Sequence, residues 1–352
     1  MRIIFFSFFY KTTRLLVTKL IYFTQRLTFQ KKDLEPAIKF GDFCLTALIP
    51  LKRFTYNFEI PNNIQVEIFN LKFRSPLIGS SFKSNEKIIS IWLDMGLGSA
   101  IFKTIMKNER LGNKRPRIQD TYYNNEKGIV NALGLPGSGT HKFSKSLNDS
   151  ILWNYDCPIG ISIGGDSSSE YVENIKTLET NQFLKEKQYF YELNISCPNT
   201  TDGRTLNDSP DNFDSVLKEI NKIINVPISI KISPDSSNDI IRKIAEICSF
   251  HDQVLINAGN SQYKSKSELN IPSNSLTTIG GGLSGTSLFN RTLEVVKILA
   301  PFNIPIIATG GINNFDQIEI LKKEGAALFG MATALIFNPY CIPKINSNLK
   351  NV

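Results

Sequence analysis

The chain has 352 residues, 41% hydrophobic, 11% aromatic and 20% charged, with 22 glycines and 16 prolines. That is too apolar for a disordered chain, too irregular for a fibrous one, and long enough to bury a large core. Five cysteines (Cys44, Cys157, Cys197, Cys248, Cys341) are scattered without a Cys-x-x-Cys spacing, and His141 and His251 are the only histidines. A disulfide scaffold, a zinc ribbon, an iron–sulfur cluster and His-based metal or hydrolytic chemistry are therefore disfavoured, and a reducing, intracellular setting fits best.

The net charge of +8 is localised. Residues 1–32 contain Arg2, Lys11, Arg14, Lys19, Arg26, Lys31 and Lys32 and no Asp or Glu, so they carry +7 and the rest of the chain sums to +1. The same stretch holds Phe5, Phe6, Phe8, Phe9, Tyr10, Tyr22, Phe23 and Phe29. Wound as a helix, Leu16, Leu20, Phe23 and Leu27 form a narrow stripe, with Lys11, Arg14 and Arg26 expected across from it. Such a helix suits an anionic bilayer interface, and no apolar run reaches the ~18–20 residues of a spanning helix. Two other readings stay open: a helix packed on the body with a solvated basic face, and an organelle transit peptide. No small-residue cleavage site follows Ile3–Tyr10, so a secretory signal is not expected.

From Pro61 onward, short β-rich runs alternate with helical stretches. The strand candidates are Pro76–Ser81, Ser99–Lys103, Gly128–Leu133, Pro158–Gly164, Phe190–Ser196, Pro227–Ser233, Gln253–Ala258, Ile304–Gly310 and Ala326–Met331. Several are unbroken Ile/Val/Leu runs, as in parallel strands covered on both faces. Helices are expected at Asp211–Ile224, Asn238–Cys248, Thr292–Ala300 and Phe315–Glu324, the last capped by Asn313 or Asn314 and closed by Gly325. Repeated βα units over this length predict an α/β fold, a closed (β/α)₈ TIM barrel at 61–345 behind an N-terminal helical extension at 1–60. Nine candidates for eight places leave one strand peripheral or misread. Ser261–Gly281, rich in Ser, Asn and Lys, reads as a long loop on the functional rim.

Polar residues at the C-terminal ends of barrel strands build the site in such a fold. Those ends carry Asn131, followed by Gly134 and Leu135; Asn194, running into Ser196-Cys197-Pro198-Asn199; Lys231, a cation inside an apolar run; and Asn257. Amides both donate and accept, so several converging on one pocket suit a ligand edged with N–H and C=O groups, such as a pyrimidine. Late glycine-rich turns, Gly280–Gly285, Gly310-Gly311 and Gly330–Thr333, fall where such barrels hold a phosphate through backbone N–H groups. Cys197, after a strand and between amides, is placed to act as a base toward a weakly acidic C–H.

From about Leu71 to Phe337 the chain resembles the dihydroorotate dehydrogenase family of FMN-containing barrels. The resemblance is carried by Asn194–Thr200, Lys231–Asp235, Gly282–Gly285, Ile306–Ile312 and Gly112–Arg117. It implies that dihydroorotate yields a hydride from C6 to the flavin while a base, here Cys197, removes the C5 proton, giving orotate for pyrimidine synthesis. Asn131, Asn194, Asn199 and Asn257, with Gly134, Leu135, Lys83 and Lys103, would face the substrate. Ser81, Lys103, Asn131, Ser162, Asn194, Lys231 and Asn257 would face FMN, with Lys231 beside the flavin's pyrimidine end. Gly285, Gly310, Gly311, Ala332 and Thr333 would hold the phosphate, and the loop after Thr200, containing Gly203, would be a lid. No metal is implied.

Features of two subclasses are mixed. Cys197 and the Gly134-Leu135-Pro136 turn resemble the soluble members, which use fumarate or NAD. The basic aromatic arm resembles the membrane-bound, quinone-reducing members. Lys103 matches the active-site lysine of the first type and Lys83 that of the second. The favoured expectation is a quinone-linked enzyme on a membrane surface through its arm; the alternative is a cytoplasmic, soluble-type enzyme, or a barrel acting on a related reduced pyrimidine. That last reading is kept open by Ser162 and Ala258, which stand where the family usually has an Asn and a hydroxyl residue. A non-catalytic FMN barrel docking through its arm is disfavoured by the intact Asn194–Thr200 segment. A homodimer is compatible with this reading. Nucleic-acid binding is not expected, because the barrel itself is near neutral.

Overall fold

The computed structural model describes residues 1–195 and 210–351. Its strands, in chain order, are β1 (Val66–Ile68), β2 (Leu71–Phe73), β3 (Leu77–Gly79), β4 (Ser99–Ile105), β5 (Ile118–Tyr123), β6 (Glu126–Asn131) and β7 (Ile159–Ile163). They continue with β8 (Tyr189–Asn194), β9 (Ile228–Lys231), β10 (Val254–Ala258), β11 (Gln262–Ser265), β12 (Gly280–Gly285), β13 (Ile306–Thr309) and β14 (Ala326–Met331). Eight of these close a barrel in the order β3-β4-β7-β8-β9-β10-β13-β14, every pair parallel. The expected (β/α)₈ barrel is present, and each barrel strand overlaps one of the strand candidates.

Period-two alternation gives each strand an outer row packed on helices and an inner row filling the barrel. The lower inner layer is apolar: Ile78, Ile101, Phe190, Leu255, Ile307 and Leu328 pack together with Leu71 and Phe73, so the β1–β2 hairpin plugs the bottom. Two residues further toward the strand C-termini the same rows turn polar, with Lys103, Ser162, Glu192, Asn257 and Thr309. The barrel is therefore greasy below and polar at its functional end.

Two sequence-level expectations need correction. The surplus ninth strand is Gly128–Leu133: it corresponds to β6, which lies outside the barrel in a four-stranded sheet, β11-β12-β6-β5. That sheet also overturns the reading of Gly280–Gly285 as a turn, since it is strand β12, and of Ser261–Gly281 as one long loop, since it contains β11. The glycines are explained by close approach. A Cβ on Gly280 would strike the Lys264 carbonyl, and one on Gly281 the Asn131 carbonyl. Elsewhere local signals held: Asn314 caps its helix by accepting from the Gln317 N–H at 3.0 Å.

The arm forms helices α1 (Arg2–Leu27), α2 (Glu35–Ala47) and the short α3 (Lys52–Thr55). The face of α1 that meets the barrel is the mixed one. Phe6 stacks on Tyr340 at 5.7 Å, the Tyr10 hydroxyl donates to the Ile336 carbonyl at 2.9 Å, and Thr18 and Gln25 are buried. Arg14 turns inward to Asp120 at 2.8 Å, while Lys11 and Arg26 stay exposed, so the basic residues do not share one face. On the turn into α2, Asp33 pairs with Arg115 at 2.7 Å. The leucine stripe faces outward, with Leu16, Leu20, Phe23 and Leu27 exposed.

Candidate active site

A cavity of about 950 Å³ opens at the C-terminal ends of the barrel strands and continues outward beneath α1 and α2. Among the residues expected at the site, Ser81, Lys83, Lys103, Asn131, Leu135, Asn194, Lys231, Gly285, Gly310, Gly311, Ala332 and Thr333 line it. Both lysines in question therefore reach the cavity wall. Gly134 sits beside Leu135 with a φ of 72°. Ser162 and Asn257 are fully buried in the adjoining polar layer and are not part of that lining. Cys197, Asn199 and the segment containing Gly203 lie outside the described residues.

The polar layer is a connected network. The Lys231 ammonium donates to Ser81 Oγ at 2.9 Å, and Ser81 Oγ donates in turn to Glu192 Oε1 at 2.6 Å. The other Glu192 oxygen accepts from Asn257 Nδ2 at 2.7 Å, and Lys231 Nζ is 3.7 Å from the carboxylate. Beside it, Asn194 Nδ2 donates to Thr104 Oγ1 at 3.0 Å, which shares a hydrogen with Ser162 Oγ at 2.9 Å. Asn260 Nδ2 donates to Asn194 Oδ1 at 3.2 Å. Lys103 donates to the Pro136 carbonyl at 2.6 Å, and Asn131 Nδ2 to the Gly282 carbonyl at 3.3 Å.

Glu192 and Asp42 were not among the sequence candidates. Glu192 carried a usable signal, since it is two residues before Asn194 in an apolar strand and so shares its inward row. Asp42 carried none, because only the docking of α2 brings it to Lys83.

The cavity suits a phosphorylated flavin. Asn257 Oδ1 and the hydroxyls of Ser80 and Thr309 are buried without a partner, and buried polar atoms in that state call for a ligand's complementary groups. Gly310 and Gly311 take φ values of 128° and 76° in succession, a backbone run that side chains resist. At Gly330 a Cβ would overlap the Thr309 hydroxyl. Lys231 adds a buried positive charge, and Gly285, Gly310, Gly311, Ala332 and Thr333 line the same cavity.

Comparison with known proteins agrees with this chemistry. The family model for dihydroorotate dehydrogenase matches residues 63–352. A protein of Bacillus cereus (strain B4264) named dihydroorotate dehydrogenase B (NAD(+)), catalytic subunit, is 28% identical over 295 residues, covering 82% of this chain and 91% of its own length. The protein of that name from Bacillus thuringiensis (strain Al Hakam) is 28% identical over 301 residues, with the same coverages. The crystal structure of the Eimeria tenella enzyme DHODH in complex with ferulenol superposes with a TM-score of 0.72 at 21% identity, covering 89% of this chain and 90% of that one, which bears on the fold alone. The chain thus belongs to the dihydroorotate dehydrogenase family of FMN flavoproteins in pyrimidine biosynthesis.

Proposed function

We propose that this chain oxidises dihydroorotate to orotate and hands the electrons to a quinone that enters between the arm and the barrel. The observation that carries the acceptor assignment is the continuity of the cavity. Lys231 and Asn194 share one continuous cavity with the apolar Phe9, Val17, Leu45 and Phe337. A purely polar substrate has no use for that apolar lining, whereas a quinone ring with an apolar tail fits it.

FMN, when bound, supplies the two-electron chemistry, taking hydride from the substrate and releasing electrons to the acceptor. The residues around it have separable tasks. Cys197 removes the substrate's C5 proton at Sγ. Asn131, Asn194 and Asn199 hold the pyrimidine edge, with Gly134, Leu135 and Lys103 closing the pocket around it. Lys231 would supply a cation beside the flavin's pyrimidine end, and Gly310 and Gly311 would leave room for the phosphate. Ser162 is engaged with Thr104 behind the wall, so its hydroxyl supports Asn194 rather than the ligand.

The arm supports attachment to a membrane surface. Leu16, Leu20, Phe23 and Leu27 on α1, Phe40 and Phe43 on α2, Leu51 just before α3 and Phe54 on it all face outward, interspersed with exposed Lys19, Arg26, Lys39, Lys52 and Arg53. Bulky apolar side chains within a basic surface match an anionic bilayer interface. Among the described residues no helix is long and apolar enough to cross a membrane, so the attachment is peripheral.

A second reading follows from the curated relatives, whose names are of NAD-linked catalytic subunits. It assigns the acceptor to a partner protein and leaves the apolar lining of the cavity unused. Turnover of dihydroorotate by the isolated chain, with a short-chain ubiquinone or with NAD, separates the two. Quinone turnover without a partner supports the first; turnover only with an added NAD-linked subunit supports the second.

A further inference from the structure

Glu192 is fully buried on β8, at the centre of the polar layer. A carboxylate taken wholly out of water is costly unless it is paired and hydrogen-bonded. Here it receives Ser81 Oγ at 2.6 Å and Asn257 Nδ2 at 2.7 Å, with Lys231 Nζ at 3.7 Å. Those three partners come from three separate places in the barrel: the loop after β3, β10 and β9. We propose that Glu192 is the positioning residue that sets the polarity of the flavin site, fixing what Asn257 presents and how much of the Lys231 charge is free. The proposal rests on the assignment of Lys231 and Asn257 to that site.

The amide has two ends. Because its Nδ2 is committed to Glu192, Asn257 must turn Oδ1 the other way, and that oxygen is indeed buried without a donor. A ligand group that reaches into this layer would meet an acceptor. The same carboxylate takes the Ser81 hydroxyl hydrogen, which leaves the Ser81 lone pairs to receive Lys231 at 2.9 Å. Lys231 is thereby held in place and its charge is balanced before any ligand arrives. In a low-dielectric barrel, removing the balancing charge strengthens the pull of Lys231 on anything negative beside it.

The isosteric Glu192→Gln removes the charge and introduces a donor. The new N–H₂ group faces either Ser81, which rotates its hydroxyl to accept it, or Asn257, which must then flip. The expected results are a more positive flavin reduction potential and tighter binding of sulfite, a nucleophile that adds to oxidised flavin, with Kd lower by about tenfold or more. Glu192→Asp, which keeps the charge, should hold the sulfite Kd closer to wild type than Glu192→Gln does. In the double variant Glu192→Gln/Asn257→Asp the negative charge returns beside Lys231, its register neighbour, and the potential should recover. If Glu192→Gln retains flavin with unchanged potential and sulfite affinity, Glu192 is merely structural and the proposal is overturned. If Glu192→Gln loses flavin, the double variant decides: a potential that stays away from wild type in it also overturns the proposal. Wild-type protein purified without flavin would instead overturn the assignment of the site itself.

Discussion

Asp42, on α2 of the arm, grips the ammonium of Lys83 with both carboxylate oxygens, at 2.7 and 2.6 Å. Both side chains line the cavity and are mostly shielded from water. The pair therefore ties the arm to the loop that also carries Ser81.

Removing Asp42 leaves an ammonium in a partly desolvated place. Asp42→Ala is expected to cost about 1–2 kcal/mol of stability, visible as a lower Tm. Because Asp42 sits on the arm, the KM for quinone should rise while that for dihydroorotate stays within about twofold, a split set by location along the cavity. Steady-state kinetics with each substrate varied in turn checks it; a rise confined to dihydroorotate would place Lys83 at the pyrimidine instead.

The outward stripe of α1 is exposed, with Leu16 and Leu20 each at 61%. The double variant Leu16→Glu/Leu20→Glu should therefore fold with stability within about 0.5 kcal/mol of wild type per position. It should lose sedimentation with vesicles containing anionic lipid, while quinone reduction by a short-chain analogue persists. Undiminished vesicle binding would remove the membrane role of this face.

Gly330→Ala places a methyl group against the Thr309 and Ser80 hydroxyls, both of which lack other partners. Overpacking of this kind costs about 1–3 kcal/mol. The visible flavin absorbance per mole of purified protein should fall sharply, and a Thr309→Ala change in the same chain should restore part of it by clearing the overlap. Equal flavin content in Gly330→Ala and wild type would move the cofactor elsewhere in the cavity.

Thiol reactivity should sort the cysteines by burial. Desolvation pushes Cys157 up to about 11 and Cys341 up to about 12, so at pH 8 roughly one in a thousand and one in ten thousand respectively is thiolate. Raising the pH toward 11 increases the charged fraction of Cys157 first, since its value is the lower. Cys44, partly exposed, should be alkylated well ahead of both in native protein at pH 8. Mass-spectrometric mapping of a timed iodoacetamide reaction reads this directly, and early labelling of Cys157 would contradict the burial.

Much of the barrel was legible because its strands are chemically loud. Runs such as Ala326–Met331 and Ile306–Ala308 have no polar alternation and sit between helices whose caps, like Asn314, are local signals. What escaped was set by contacts distant in sequence. Gly281 pairs with Lys264, and Gly282 with Asn131, about 150 residues away, so the glycine run is a strand only once those neighbours are in place. The leucine stripe on α1 was found, but which side of the helix meets the barrel depends on Tyr340 and Asp120. At the site, the converging amides were visible one by one; the carboxylate that orients Asn257 was not, because its meaning lies in a 65-residue separation closed by the barrel.

The most direct measurement is anaerobic stopped-flow at the flavin absorbance maximum, in two mixes. Dihydroorotate should bleach the bound flavin, and a short-chain ubiquinone added next should restore the colour within the time of one turnover, whereas NAD should not. Bleaching followed by recovery with NAD alone would contradict the quinone assignment, and no bleaching by dihydroorotate would contradict the reading of the site as a whole.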